Sequence, residues 1–158
     1  ATHVTLTQRR FSLLDATASS QVWMTPVRLS RGNEVTSLLF DAPQKSFVLD
    51  GCSDDPVLAN AGGAGFYRVE YEPALLRALT ARFTHLAPTD RVTLLSDTFA
   101  LAQAGRVPLA SYFALLARIP SVHDVDRTVL YSMANDGLDF LDASMAGTSA
   151  QRQVRAAS

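Results

Sequence analysis

The hydrophobic residues of this sequence change their spacing once, between Tyr71 and Pro73. Up to that point they alternate with polar residues, as in "HVTLTQ" and "WMTPVRL", which is typical of half-buried strands. Beyond it they recur every three or four residues, as in "EPALLRALTARF", which is typical of amphipathic helices. The change predicts a β-domain over residues 1–72 and the N-terminal part of an α-helical domain over residues 73–158.

Turn signals separate the short strands of the first part. "RGN" and "DG" lie between apolar runs, and short strands at this spacing favour a small antiparallel β-sandwich. Pro26 lies inside the run "WMTPVRL", and because proline donates no ladder hydrogen bond we expect an edge or a bulge there. The predicted class is therefore α+β, a sandwich followed by an antiparallel, superhelical-type helical array.

The second part contains at least four helical patterns joined by short loops. Gly105 follows the second pattern and is suited to end it in a left-handed turn. We expect Gly137 to interrupt the last helix, and the tail "GTSAQRQVRAAS" to be frayed. The candidate buried positions of that helix are Val125, Val129, Tyr131, Met133, Leu138 and Leu141.

Charge and composition exclude several kinds of partner. The 158 residues carry a net charge of −1, so the chain lacks the basic excess that binding a phosphate backbone requires. No apolar run approaches the roughly 20 residues of a membrane span. Cys52 is the single cysteine, and the first residues do not have the pattern of a signal peptide. We expect no nucleic-acid or membrane partner and a cytoplasmic location.

The stretch "NAGGAGFYRVEY", residues 60–71, invites comparison with a phosphate-binding loop. A dinucleotide loop needs G-x-G-x-x-G before a helix, but Arg68 occupies the third glycine position and an aromatic, alternating run follows. A P-loop needs Gly-Lys-Ser/Thr, and no lysine is near. We therefore interpret the glycines as a turn that starts a strand over Phe66–Tyr71, and we expect no nucleotide binding.

The sequence contains no self-sufficient active site. Its three histidines lie far apart, and only "HDVD" brings His123, Asp124 and Asp126 together. At a helix start these two carboxylates are more simply explained by the helix dipole than by a metal. We expect no catalytic residue, no metal ligand and no cofactor within this segment.

Three charged residues remain as candidates for a role in binding. Arg68 lies among apolar residues, and Arg91 and Asp97 belong to one helical pattern. An arginine in such a setting usually makes a structural ion pair, which is the preferred interpretation. The alternative is a guanidinium that meets a ligand carboxylate in a substrate chamber.

Four segments, in order and spacing, resemble the zinc aminopeptidase family that includes aminopeptidase N and the puromycin-sensitive and endoplasmic-reticulum aminopeptidases. They are "LTQRRF", "VWMTPVRL", "NAGGAGFYRVEYEP" and "DRVTLLSDTFALAQAG". The third resembles the family's junction between sandwich and helical domain, with its matching positions at Asn60, Gly65, Tyr67, Arg68 and Tyr71, among others.

The resemblance implies that the chain is a piece of a larger metallo-aminopeptidase, a hydrolase that removes N-terminal residues from peptides. In that family the zinc ligands and catalytic residues lie upstream of the sandwich, and the helical domain caps the substrate chamber. Zinc then belongs to the full-length parent alone. The implied partners are the missing catalytic and remaining helical domains and the parent's peptide substrates.

Two further expectations concern the chain by itself. An incomplete helical array leaves an apolar face uncovered, which predicts self-association through that face or marginal stability. The alternative to an enzyme fragment is a stand-alone protein-interaction module without enzymatic activity.

Overall fold

A computed structural model describes residues 1–13 and 21–157 of the chain. The chain divides into two compact units, Ala1–Leu79 and Thr80–Ser158. Strands give way to helices at Pro73, where the hydrophobic spacing changes, and small antiparallel sheets followed by helices confirm the α+β class. The domain boundary between residues 72 and 73 stays a prediction.

The first unit contains two antiparallel sheets. β1 pairs with β4, and β2 lies between β3 and β5. Side chains from both sheets form one hydrophobic cluster, and its buried residues include Val27 and Leu29 of the central strand β2. The strands within the described residues are β1 (Thr2–Thr7), β2 (Thr25–Arg31), β3 (Glu34–Phe40), β4 (Gln44–Leu49) and β5 (Val57–Ala59).

Alternating burial and tight turns explain why these residues form strands. Every second residue of β1 points inward, so Val4 and Leu6 face the cluster as their spacing predicts. Arg31 and Glu34 face each other across a two-residue loop, and Gly32 has a φ of 58° there. Because positive φ is easily adopted by glycine, this position closes the hairpin between β2 and β3.

Three details of the sheets differ from the sequence predictions or sharpen them. In the part of the chain that the structure describes, the predicted strand over Phe66–Tyr71 is wrong, because these residues join no ladder there, although alternate ones still pack against the cluster. β5 is a short strand that the alternation did not reveal. At Pro26 the central strand pairs only with β3, since β5 joins it from Leu29 onward, so the proline lies where one side of the strand has no partner strand among the described residues.

Helices follow, linked by short connections and 3₁₀ turns. The second ends as predicted: the amides of Gly105 and Arg106 donate to the carbonyls of Ala102 and Leu101, with Gly105 at a φ of 68°. Within the described residues, none of the helices combines the length and apolar character that crossing a bilayer takes. The helices are α1 (Pro73–Ala81), α2 (Pro88–Gln103), α3 (Leu109–Leu116), α4 (Arg127–Ser144) and α5 (Gln151–Ala157).

The end of the chain corrects two predictions. Gly137 does not interrupt α4, because it is a buried contact: a Cβ there would lie 2.3 Å from the Tyr112 hydroxyl oxygen. The tail is not frayed, since α5 contacts α4 and Arg155 pairs with Asp142 at 2.8 Å.

The buried face of α4 is also rotated relative to the predicted one. Val125, Val129 and Tyr131 are exposed, and Met133 is only partly covered. Leu138 and Leu141 are buried as predicted. Besides these two, the helix buries Leu130, Ala134 and Gly137.

Candidate functional site

Among the described residues, the most deeply buried charge is that of Arg91, on the first turn of α2, which is 0% exposed. Its Nε and Nη2 atoms donate to the two carboxylate oxygens of Asp126, each at 2.7 Å. Nη2 also donates to Asp124 at 2.6 Å. Nη1 donates to the backbone carbonyls of Thr84 at 3.1 Å and Leu86 at 2.8 Å. All five N–H donors of the guanidinium are thus used. We call these five residues the Arg91 cluster.

Charge compensation stabilises this cluster. The hydrogen bond from Arg91 lowers the pKa of the Asp126 carboxyl below its ordinary value of 3.8, against the opposing effect of burial. The same bond raises the pKa of Arg91, so both groups are charged at neutral pH. The Asp126 side chain is 6% exposed, whereas that of Asp124 is 58% exposed. The cluster therefore ties the residues before α4 to the start of α2 through a buried, two-pronged ion pair.

These contacts change the interpretation of "HDVD". Asp124 and Asp126 do precede α4, and Asp126 occupies its N-cap position, but its side chain makes no capping hydrogen bond, and the oxygens of both carboxylates accept from Arg91 instead. Across residues 1–13 and 21–157, no three His, Cys, Asp or Glu side chains converge as metal ligands would.

A second centre lies in the first unit, at the start of the glycine-rich stretch. Asn60 is buried and has a φ of 58°, a left-handed conformation that asparagine adopts more readily than most residues. Its side-chain oxygen accepts from the Gly65 amide at 2.7 Å, and its side-chain nitrogen donates to the Gly65 carbonyl at 3.1 Å. We call the loop from Asn60 to Gly65 the Asn60 turn. One side-chain amide closes it, and no phosphate is needed to organise it.

Two tyrosines fix the segment that leaves the Asn60 turn. A Cβ on residue 65 would lie 2.0 Å from the Tyr67 ring, so glycine is required there for Tyr67 to pack against the hydrophobic cluster. The Tyr71 hydroxyl donates to the Ala59 carbonyl at 3.2 Å and accepts from the Ala59 amide at 3.1 Å. These bonds join the segment to β5.

Comparison with known protein families identifies the family of this chain. A sequence profile described as the ERAP1-like C-terminal domain matches residues 56–157, which include both the Asn60 turn and the Arg91 cluster. The chain belongs to this family. The match also confirms the resemblance to the aminopeptidase family and assigns the chain to its C-terminal region.

Individual aminopeptidases give the same result. The puromycin-sensitive aminopeptidase of Caenorhabditis elegans is 28% identical over 146 residues, covering 87% of this chain and 15% of the relative. The glutamyl aminopeptidase of Bitis rhinoceros is 35% identical over 123 residues, covering 67% of this chain and 13% of the relative. The human glutamyl aminopeptidase is 33% identical over 115 residues, covering 63% and 12%. The chain thus spans about 15% of the length of the curated relatives it matches.

The other charged candidates of this aminopeptidase segment belong to different units, Arg68 to the first and Asp97 to the second. Arg68 is exposed, and its guanidinium carbon lies 5.2 Å from the centre of the Phe11 ring, at the distance of a cation–π contact. Asp97 is buried on α2. Arg91 contacts Asp124 and Asp126, which are much farther along the chain than Asp97. A role for Arg68, Arg91 or Asp97 in a substrate chamber stays a prediction.

Sequence reasoning missed a second buried arginine, Arg31 at the end of β2. Its guanidinium donates to the Thr2 hydroxyl at 2.6 Å, the Gly51 carbonyl at 3.2 Å, the Asp50 carbonyl, and the Glu34 carboxylate at 3.3 Å. It thereby links one sheet to the end of the other. The available signal was the alternation itself, because Arg31 shares the inward-facing parity of Val27 and Leu29.

Both arginine networks and the Asn60 turn use their polar atoms internally. Catalysis of peptide hydrolysis by this family's chemistry needs a polarising metal or an activated nucleophile in reach of a base. Arg91, Asp126 and Asn60 instead bond to groups of their own unit. Their geometry suits holding a fold together.

Proposed function

We propose that this chain is a non-catalytic part of a zinc metallo-aminopeptidase, comprising the bridging sandwich and the start of the capping helical domain. The observation that carries the proposal is the match of residues 56–157 to a C-terminal domain family, together with relatives that are named aminopeptidases. The internally bonded state of Arg91, Asp126 and Asn60 supports a scaffolding role.

In this proposal the chemistry is supplied by domains outside the chain. The catalytic and remaining helical domains of the parent are its partners, and the parent's peptides are the substrates. Zinc belongs to the parent, whose catalytic domain would supply the ligands that polarise a peptide carbonyl and activate water. This segment contributes the bridge and part of the wall around the substrate.

An activity assay on the purified 158-residue chain tests the non-catalytic part of the proposal. Leucyl-, glutamyl- and arginyl-anilides are offered with and without added zinc, and bound metal is measured in parallel. We expect no zinc-dependent turnover and no stoichiometric zinc. Saturable turnover that a chelator abolishes would overturn the assignment.

The genomic reading frame tests the parentage. A zinc-binding H-E-x-x-H motif upstream of Ala1 in the same frame is the expected result. A frame that begins close to Ala1 and lacks this motif would instead favour a stand-alone interaction module.

We also propose that the isolated chain self-associates through its helical part. Val129 of α4 is 49% exposed, and Val125, just before this helix, is 91% exposed, which leaves apolar area without cover. Sedimentation over a range of concentrations measures the association, and a monomer at the highest concentration would contradict it.

The proposed location is the cytoplasm. Its support is Cys52, an exposed free thiol, which is more usual in a reducing compartment. Fractionation of the source cells with an antibody against the chain tests this, and recovery in a secreted fraction would overturn it.

A further inference from the structure

A groove of about 330 Å³ opens between α2 and α4 in the helical unit. That volume falls at the lower end of the range for small-ligand pockets, which begins at about 300 Å³. α2 contributes one wall, α4 contributes the other, and Tyr112 of α3 lies between them. The lining residues are Leu95, Ser96, Phe99, Tyr112, Met133, Asp136, Gly137 and Phe140.

Three aromatic rings line this groove, those of Phe99, Tyr112 and Phe140. The Phe99 and Phe140 rings meet edge to face, with centroids 6.0 Å apart, and Phe99 lies 4.8 Å from Tyr112. Tyr112 is 1% exposed and acts as the floor, whereas Phe140 is 50% exposed at the rim. Gly137 allows Tyr112 to lie close to α4, because a side chain at position 137 would collide with the Tyr112 hydroxyl.

The groove has one charged lining residue, Asp136, and its charge is not neutralised. Asp136 is exposed, and it has no ion-pair partner among the described residues. None of the lysines, arginines and histidines that the structure describes lines the groove. Burial, with the negative charge of Asp136 as a second cause, raises the pKa of Tyr112 to about 12, which keeps the floor neutral.

Aromatic faces, a thioether and one carboxylate together favour a ligand that is both aliphatic and cationic. The negative faces of aromatic rings attract cations, and the methylene stems of arginine and lysine cover apolar surface while the charged end reaches a carboxylate. An anionic ligand would be repelled by Asp136. A purely aliphatic one would leave that carboxylate without a partner.

We propose that this groove binds the basic side chain of a peptide, arginine or lysine, with its stem on Phe99, Met133 and Phe140 and its cation against Asp136. The inference rests on the proposed function in that the peptide is a substrate or product of the parent aminopeptidase. It adds a peptide subsite formed by this chain's own helices.

Binding of small blocked peptides to the 158-residue chain tests the proposal. The probe is acetyl-Gly-Arg-Gly-amide, and the control is the same peptide with citrulline, which keeps the shape of arginine but lacks its charge. Methionine methyl groups are labelled with ¹³C, so that Met133 reports on the groove while Met24 and Met145 serve as internal references. We expect a saturable shift of Met133 with the arginine peptide and a much weaker one with citrulline.

Two matched variants on α4 separate the groove from the general charge of the helix. Asp136→Asn should weaken binding of the arginine peptide by about fivefold, the size expected for losing an exposed charge contact beside aromatic rings. Asp139→Asn removes an equal charge three residues along, outside the groove lining, and should leave the affinity unchanged. Both positions are exposed, so circular dichroism should show the same fold for both.

Several results would overturn the subsite. Equal binding of the citrulline peptide, equal effects of the two variants, or no saturable Met133 shift would each do so. A Met133 shift that depends on protein concentration without peptide would also overturn it, because a second copy would then occupy the groove. If the groove does not bind the peptide, the reading-frame test of the proposed function is unaffected. Conversely, arginine-peptide binding by a chain whose frame lacks the peptidase would retain the subsite and reject the proposed function.

Discussion

The Asn60 turn and the Arg91 cluster stabilise two parts of this chain by opposite means. The turn is local and neutral: one side-chain amide bonds to the backbone of a residue five positions away. The cluster is distant and ionic: a fully buried guanidinium meets carboxylates 33 and 35 residues away. Both lie in stretches that resemble active-site motifs in the sequence.

The difference shows that two sequence motifs can both stabilise a fold through different kinds of interaction. A neutral local turn depends on backbone conformation and is insensitive to pH and salt. A buried ion pair depends on folding of the whole unit, since its partners meet only when α2 and α4 are in place, and on the ionisation of a carboxylate. Each variant below is chosen to weaken one kind of interaction while preserving the other.

The largest expected effect comes from removing the buried cation. Arg91→Met keeps apolar volume but leaves Asp126 buried without its partner, which should cost about 4 kcal/mol of unfolding free energy. Urea unfolding followed by circular dichroism measures this loss. Arg155→Met is the matched control, because its pair with Asp142 is largely exposed and should matter little. Similar losses from both variants would show that burial of the ion pair is unimportant.

The next effect tests the local turn. Asn60→Ala should cost about 3 kcal/mol, since it removes two hydrogen bonds and places alanine in a left-handed conformation. Asn60→Gly keeps that conformation available and should lose about 1 kcal/mol less. Thermal and urea unfolding of the two variants separate the backbone contribution from the side-chain contribution. If glycine destabilises more than alanine, the left-handed conformation is not what asparagine supplies.

A third variant asks whether a long-range contact without charge behaves like the Arg91 cluster. Gly137→Ala should cost about 2 kcal/mol despite the better helix propensity of alanine, because its Cβ collides with the Tyr112 hydroxyl. In a Tyr112→Phe background the colliding oxygen is absent, so the loss should be less than half as large. An equal loss of stability in both backgrounds would show that the collision with the Tyr112 hydroxyl is not its cause.

The smallest effect concerns the hydroxyl that joins Tyr71 to β5. Tyr71→Phe keeps the ring but removes the bonds to the Ala59 amide and carbonyl, which should cost about 1 kcal/mol. Exchange of the Ala59 amide hydrogen should accelerate at the same time. Unchanged protection of that amide would mean that the ring alone holds the segment.

The local features of the fold could be predicted from the sequence. Strand and helix periods located β1 and the start of α1, and Gly105 ended α2 in the left-handed turn expected of it. The glycines of "NAGGAG" indicated a turn. These features depend on neighbours within a few residues, so the sequence contains both partners in one stretch.

The long-range features could not be predicted in the same way. Arg91 pairs with Asp124 and Asp126, whereas Asp97 was the acidic candidate on its own helix. Gly137 was interpreted as a helix break, because nothing local reveals that Tyr112 packs on it. Alternation from Phe66 to Tyr71 correctly gave the buried side but not the backbone pairing, since period two records which face is covered and not which strand is adjacent.

The contrast between the ionic Arg91 cluster and the neutral Asn60 turn has one direct test, the pH dependence of two differences in unfolding free energy. The pKa of Asp126 is lowered in the folded chain from 3.8, so its stabilisation is present above that value and is lost as pH falls through the folded pKa. The measurement is the unfolding free energy of the wild type, Asp126→Asn and Asn60→Ala from neutral pH to about pH 2. The difference in unfolding free energy between the wild type and Asp126→Asn should become smaller in acid. The difference between the wild type and Asn60→Ala should stay constant. A gap to Asp126→Asn that is unchanged across this range would contradict the account.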